Sequence, residues 1–124
     1  MMQQLFDVHG CGKAGKMRDR RFARTEMLVG RAGVEQLGRC SAAVFGIGGV
    51  GSYAAEALAR AGIGRLTLVD HDVIDVTNIN RQIHALTETV GASKTETMAR
   101  RVHSINPACE VREIRAFYQP EAAE

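Results

Sequence analysis

The sequence predicts an α/β domain built on a doubly wound parallel sheet, and three observations carry that prediction. Residues 42–45 form a short apolar run, Ala42-Ala43-Val44-Phe45, that passes directly into glycine. Residues 52–61 place Tyr53, Ala54, Ala57, Leu58 and Ala61 along one helical face. Residues 66–69, Leu66-Thr67-Leu68-Val69, form a second apolar run closed by Asp70. A buried strand, a glycine turn, a helix and a further strand, in that order, begin a nucleotide-binding half of a doubly wound sheet.

The remaining elements follow in chain order. Residues 1–20 gather Gly10, Gly12 and Gly15 among Lys13, Lys16, Arg18 and Arg20, a composition that packs little, so a flexible basic extension is expected there. From Phe22 to Leu37, apolar residues recur at near-helical spacing (Phe22, Met27, Leu28, Val34, Leu37) with Gly30 and Gly33 between them. That pattern predicts two short helices with a bend. Gly62 and Gly64 stop the helix over 52–61, as glycines do at helix C-termini. Beyond a polar segment over 70–82, residues 93–105 read as a helix whose apolar face is Met98, Val102 and Ile105, ended by Asn106-Pro107. Residues 111–118 read as a third strand. The whole is the N-terminal β-α-β-α-β half of a Rossmann-like sheet, preceded by short helices, and right-handed crossovers make its strands parallel.

Composition narrows the function classes. At 124 residues and 45% hydrophobic content the chain suits one domain with one modest core. Sixteen basic residues face 14 acidic ones, a field too weak to argue for nucleic acid by itself. Cys11, Cys40 and Cys109 are isolated and contain no Cys-x-x-Cys pair, which gives zinc no ligand set and fits a reducing cytoplasm. Cys40 and Cys109 flank expected strands and read as buried structural thiols. No apolar run reaches the length of a membrane span, and no apolar leader core follows the N-terminus.

Chemistry concentrates in two segments. Gly46-Ile47-Gly48-Gly49-Val50-Gly51 matches G-x-G-x-x-G between strand and helix. Gly46 allows the tight turn, Gly48 lets phosphate approach the backbone, and Gly51 lets helix and strand pack closely. Asp70 lies about 20 residues on, where a carboxylate can take ribose hydroxyls. The loop does not distinguish ATP from a dinucleotide. The second segment, Asn78-Ile79-Asn80-Arg81-Gln82-Ile83-His84, adds an arginine and two asparagines that a bare pyrophosphate does not need. With Lys94 and Arg24, Arg81 supplies cations for a triphosphate whose α-phosphorus is attacked by a carboxylate. Asn78 and Asn80 also suit turn or capping roles, Arg81 alone suits a solvated loop, and His84 suits a core position. Lys94 stands in the first turn of its helix, against the macrodipole, which favours a functional reason for it.

Residues 21–118 resemble the ThiF/MoeB/HesA superfamily, the ubiquitin-activating-type adenylating enzymes. The segments carrying the resemblance are Arg21-Phe22-Ala23-Arg24, the Gly46 to Gly51 loop, Asp70-His71-Asp72, Asn78-Ile79-Asn80-Arg81-Gln82 and Val90-Gly91-Ala92-Ser93-Lys94. Within it, the wording after Gly48 and of Asn80-Arg81-Gln82-Ile83-His84-Ala85-Leu86 looks like the tRNA threonylcarbamoyladenosine dehydratase branch. The resemblance implies that Gly46, Gly48, Gly49 and Gly51 wrap ATP, with Asp70, Asp72, Asn78 and Gln82 also in the nucleotide site. It implies that Arg81 and Lys94 hold the triphosphate and that Arg24 serves the neighbouring subunit's site in a homodimer. The implied substrate is the threonyl carboxylate of the modified adenosine in tRNA; adenylation and internal attack would close a ring with loss of AMP. The implied magnesium-binding aspartate, a later cysteine and the rest of the tRNA-facing region fall beyond residue 124. Residues 21–124 are thus expected to be the N-terminal part of a ThiF-type ATP-binding domain, inactive alone. An activator of a ubiquitin-like sulfur-carrier protein is the alternative. A nicotinamide-dependent oxidoreductase is more distant, since it leaves Arg24, Arg81 and Lys94 idle.

Overall fold

The computed structural model describes residues 19–118. The expected basic extension therefore lies outside the described residues except for Asp19 and Arg20, and Cys11 lies outside them too. Asp19 is already structured: its carboxylate accepts from the Arg21 N–H at 3.0 Å and caps a 3₁₀ turn over Arg20–Phe22. Helix α1, Ala23–Leu37, follows. The expected bend falls at Gly30, whose φ of 73° and ψ of 170° break the helix; lacking a Cβ, glycine takes that conformation without clash.

The sheet is three parallel strands in the order β1 (Ser41–Phe45), β2 (Arg65–Val69), β3 (Glu110–Ile114). Helix α2 (Gly51–Ala61) crosses from β1 to β2, and α3 (Lys94–Ile105) from β2 to β3. The expected order of elements is the one observed. The register aligns Ala42 with Leu66 and Leu66 with Val111, so one row faces the helices. There Ile47, Ala55, Ala59, Leu66, Leu68, Met98 and Val102 form the core and are fully buried. Each large aliphatic side chain removed from water in that way contributes roughly 1.5–3 kcal/mol. Cys109 joins this core as expected, and burial pushes its thiol above the ordinary range; Cys40 is half-buried against it.

Three expectations fail in detail. Helix α2 turns Ser52, Ala55, Glu56 and Ala59 inward, while Tyr53, Ala54 and Ala57 of the expected face are exposed, because the small residues one position on let the helix lie close on the sheet. Strand β1 is not buried: its residues alternate between exposed and half-buried, because it is an edge strand covered on one face. The opposite row, Ala43, Thr67 and Arg112, carries no large buried apolar side chain. Strand β3 ends at Ile114, not Tyr118. Its last rung is the Asp70 N–H donating to the Ile114 carbonyl at 3.1 Å, and beyond that β2 offers no partner. Arg115 turns away to pair with Glu96 at 2.8 Å, while Phe117 meets the His71 ring and Tyr118 the Phe45 ring, each with centroids 4.8 Å apart.

The crossover helices are locked by polar groups as well as packing. Gly62, at φ 93°, ends α2. Ser93 caps α3 by accepting from the Glu96 N–H, so the helix expected over 93–105 begins one residue later. Buried Asn106 donates from Nδ2 to the Ile63 carbonyl at 3.1 Å and ties the end of α3 to the end of α2. Glu56 on α2 is nearly enclosed and accepts from Arg101 on α3 and from Arg60 one turn on. Burial alone raises a carboxyl, but the two guanidiniums outweigh it and hold Glu56 below its ordinary value.

Candidate nucleotide site

The glycine loop leaves β1 at Gly46, whose φ of 82° requires glycine and whose N–H donates to the Val69 carbonyl at 2.8 Å. A Cβ on Gly51 would lie 1.7 Å from the Gly46 carbonyl oxygen, so the loop closes on itself only because no side chain stands there. Gly48 and Gly49 are different: a Cβ on either would meet only side chains or backbone of the Asn78 to His84 segment, at 3.6 Å or more. The first turn of α2 follows immediately, presenting N–H groups that the helix itself does not pair.

That segment is brought onto the loop by its own hydrogen bonds. Asp75 Oδ1 accepts from the Thr77 N–H and hydroxyl, and Asn78 Oδ1 accepts from the Asp75 N–H at 2.9 Å, together closing a 3₁₀ turn over Val76–Asn78. The Thr77 bonds hold the Asp75 carboxyl below its ordinary value. The Gln82 N–H then donates to the Asn78 carbonyl at 2.9 Å. Ser52, fully buried in the first turn of α2, receives the Ile83 N–H on its hydroxyl at 3.3 Å. Thr89 holds the far end, donating its hydroxyl to the His84 carbonyl at 2.7 Å.

The expected site residues fall into three groups. Arg81 and Gln82 sit on the loop: the aliphatic stem of Arg81 would lie 3.6 Å from a Gly49 Cβ, and Gln82 Nε2 lies 3.8 Å from the corresponding point on Gly48. The Arg81 head is exposed and donates to the Thr77 carbonyl and to Asn80 Oδ1. Gln82 is buried, and its Oε1 has no partner among the described residues. Asp70, Asp72 and Lys94 form the second group. Asp70 Oδ2 accepts the Ile47 N–H at 2.7 Å and Oδ1 the Asp72 N–H at 2.8 Å. Lys94 is buried along its stem, and its ammonium meets Asp72 Oδ2 at 3.4 Å. That ion pair offsets the cost of a cation in the first turn of α3. Asn78 is buried as a cap, with its Oδ1 already committed.

Arg24 stands alone. Its neighbour Phe22 packs on Gly62, at the C-terminal end of α2, while the glycine loop is at the N-terminal end. Eleven helical residues put those ends about 16 Å apart. The exposed Arg24 guanidinium approaches only Met27 Sδ among the described residues, at 3.9 Å.

Sequence reasoning missed two participants, Ile47 and Ser52, and it placed His84 in the core without naming its partner. His84 is 1% exposed, with Nε2 donating to the Ile47 carbonyl at 2.7 Å. Since that carbonyl only accepts, Nε2 carries the hydrogen. Burial keeps His84 below its ordinary value, Lys94 lowers it further, and Asp70 and the Ile47 bond oppose them. Its partner lies 37 residues away, so no local pattern signals the pairing.

The loop has two flanks. An open groove of about 720 Å³ runs along its apolar flank, lined by Val44, Phe45, Val50, Ala54 and Leu58 beside the glycines. Arg81, beside Gly49, is not part of that groove's lining and supplies a cation at the loop. Asp70, His71 and Asp72 offer ligand atoms within 4.8 Å of one another. Their oxygens, however, already receive two backbone N–H groups, the His71 imidazole and the Lys94 ammonium. A divalent cation there would compete with the His71 and Lys94 contacts for the Asp72 oxygens.

The ThiF family matches residues 22–124. The tRNA threonylcarbamoyladenosine dehydratase of Bacillus subtilis is 52% identical over 103 residues, covering 83% of this chain and 41% of that protein. The solved structure of the E. coli tRNA N6-threonylcarbamoyladenosine dehydratase TcdA, in complex with ATP, is 50% identical with a TM-score of 0.80, covering 82% of this chain and 42% of that one. The sulfur carrier protein adenylyltransferase of Thermus thermophilus is 39% identical over 93 residues, covering 73% of this chain and 34% of that protein. The chain thus spans less than half the length of these relatives.

Proposed function

From the premise that this chain belongs to the ThiF family, we propose that it binds ATP across the Gly46 to Gly51 loop and adenylates a carboxylate. The carboxylate read here is the threonyl group of threonylcarbamoyladenosine in tRNA, the modification named in the two dehydratase relatives. The observation that carries the reading is Arg81 lying directly on Gly49. A cation there meets the phosphates that the loop and the first turn of α2 attract.

Asp70 keeps its carboxylate at the loop through Ile47, and its remaining lone pairs take ribose hydroxyls. Gln82 packs its Nε2 beside Gly48 and supports the loop from beneath, held in turn by its N–H bond to the Asn78 carbonyl. The substrate carboxylate oxygen attacks the α-phosphorus, the bond to pyrophosphate breaks, and the acyl adenylate forms. Arg81 offsets charge on the phosphoryl oxygens and the departing pyrophosphate. Lys94 joins it by exchanging its 3.4 Å contact with Asp72 for the triphosphate, and Asp72 keeps that ammonium within reach. Internal attack on the activated carbonyl then closes the ring and expels AMP. Magnesium would neutralise the triphosphate, and no step is routed through the Asp70, His71 and Asp72 cluster.

Arg24, two residues after Phe22, which packs at the end of α2 away from the loop, serves the site of a second copy, which makes the working unit a homodimer. The setting is the cytoplasm, and among the described residues no helix is long and apolar enough to cross a membrane. A sulfur-carrier protein is the competing substrate, supported by the Thermus relative. In the full-length protein, Arg81→Ala should abolish ATP–pyrophosphate exchange while leaving the unfolding midpoint within a few degrees. Its head is exposed and makes two hydrogen bonds, worth together about 1–3 kcal/mol at most. Exchange that survives the substitution removes Arg81 from the reaction.

A further inference from the structure

We infer that His84 is a positioning residue that aims the Gly48 N–H at the nucleotide phosphates. The inference rests on the ATP-binding reading of the loop. Ile47 is fully buried between two glycines, and its two peptide groups are held by different side chains. Asp70 Oδ2 receives the Ile47 N–H, and His84 Nε2 donates to the Ile47 carbonyl, each at 2.7 Å.

The second bond controls a group outside His84's own reach. The Ile47 carbonyl and the Gly48 N–H belong to one planar trans peptide, so they point in opposite directions. Holding the oxygen on the buried His84 side turns the Gly48 N–H to the side away from the core. Ile47 and Gly48 flank this peptide, and on the Gly48 side no Cβ restricts its rotation. Without a donor at Nε2, the peptide loses the contact that distinguishes its two orientations. One orientation offers the phosphates an N–H and the other a carbonyl oxygen, which repels them.

The clamp is braced from both sides. The His84 carbonyl receives the Thr89 hydroxyl, and the neighbouring Ile83 N–H donates to Ser52 in the first turn of α2. His84 therefore moves with the helix that the phosphates face. No other described side chain donates to the Ile47 carbonyl.

The test compares ATP with adenosine in the full-length protein by calorimetry, using His84→Leu, His84→Gln and His84→Asn. Adenosine needs Asp70 but not the Gly48 N–H, so a general loss of structure weakens both ligands alike. The expected result is that His84→Leu weakens ATP about tenfold or more, the scale of one lost hydrogen bond with a buried partner left unmet, and adenosine less than about twofold. His84→Gln, which can place an N–H near the Nε2 position, should restore ATP binding to within about threefold. Should His84→Leu fail to fold, the amide pair decides: His84→Gln must bind ATP at least about fivefold more tightly than His84→Asn, whose donor is too short. Equal losses for ATP and adenosine, or no difference between His84→Gln and His84→Asn, overturn the inference. Wild-type protein that binds neither ligand overturns the ATP reading and the clamp with it, an outcome distinct from ATP binding that no His84 variant changes.

Discussion

At the scale of single residues, the site separates groups that touch the loop's open side from groups that hold it from within. Arg81 belongs to the first kind, Asp70 to both, and Gln82, Ser52 and His84 to the second. The buried histidine gives a pH signature. Its folded-state value lies below the ordinary 6.5, so the unfolded chain binds the proton more tightly. Stability from neutral His84 is present in full above 6.5 and is lost as pH falls from there toward the lowered folded value. Urea midpoints measured across that window should decline in the wild type and less steeply in His84→Gln; parallel declines would contradict the assignment. Arg81, Asp70 and the glycines were legible in the sequence because each residue type suits its chemistry at that position. His84 was legible as a core position but its partner was not, since that carbonyl lies 37 residues away. Asn78 was legible in both its readings, and its oxygen caps a turn.

At the scale of elements, the glycine loop works because β1 and α2 nearly touch. Gly51→Ala would drive a methyl into the Gly46 carbonyl, 1.7 Å from the ideal Cβ position. The backbone must shift, at a cost of about 1–3 kcal/mol or more. The expected outcome is a thermal midpoint lowered by several degrees together with loss of ATP binding. A variant as stable as the wild type, with intact binding, would show that the loop is not held in this geometry. The helices and strands were readable from periodicity, with α2 and α3 starting within one residue of expectation. Burial was not readable to the same degree. The run over 42–45 is as apolar as 66–69, yet β1 lies at the sheet edge and β2 at its centre. The length of β3 also escaped the sequence, because residues 115–118 are suited to a strand but find no rung beyond Ile114.

At the scale of the whole molecule, the described chain carries one covered sheet face and one complete loop with its cations on one flank. Met27 and Leu28 on α1 are 75% and 88% exposed, and Arg24 on the same helix follows Phe22, which packs at the far end of α2 from the loop. That arrangement agrees with a site completed by a second copy, as proposed for Arg24. The measurement that tests the account most directly is ATP–pyrophosphate exchange by the full-length protein, run with tRNA carrying threonylcarbamoyladenosine and, separately, with a sulfur-carrier protein. Exchange should depend on the modified tRNA and be absent with the carrier alone. Exchange driven only by the carrier protein would contradict the tRNA reading, and no exchange with either would contradict adenylation at this loop.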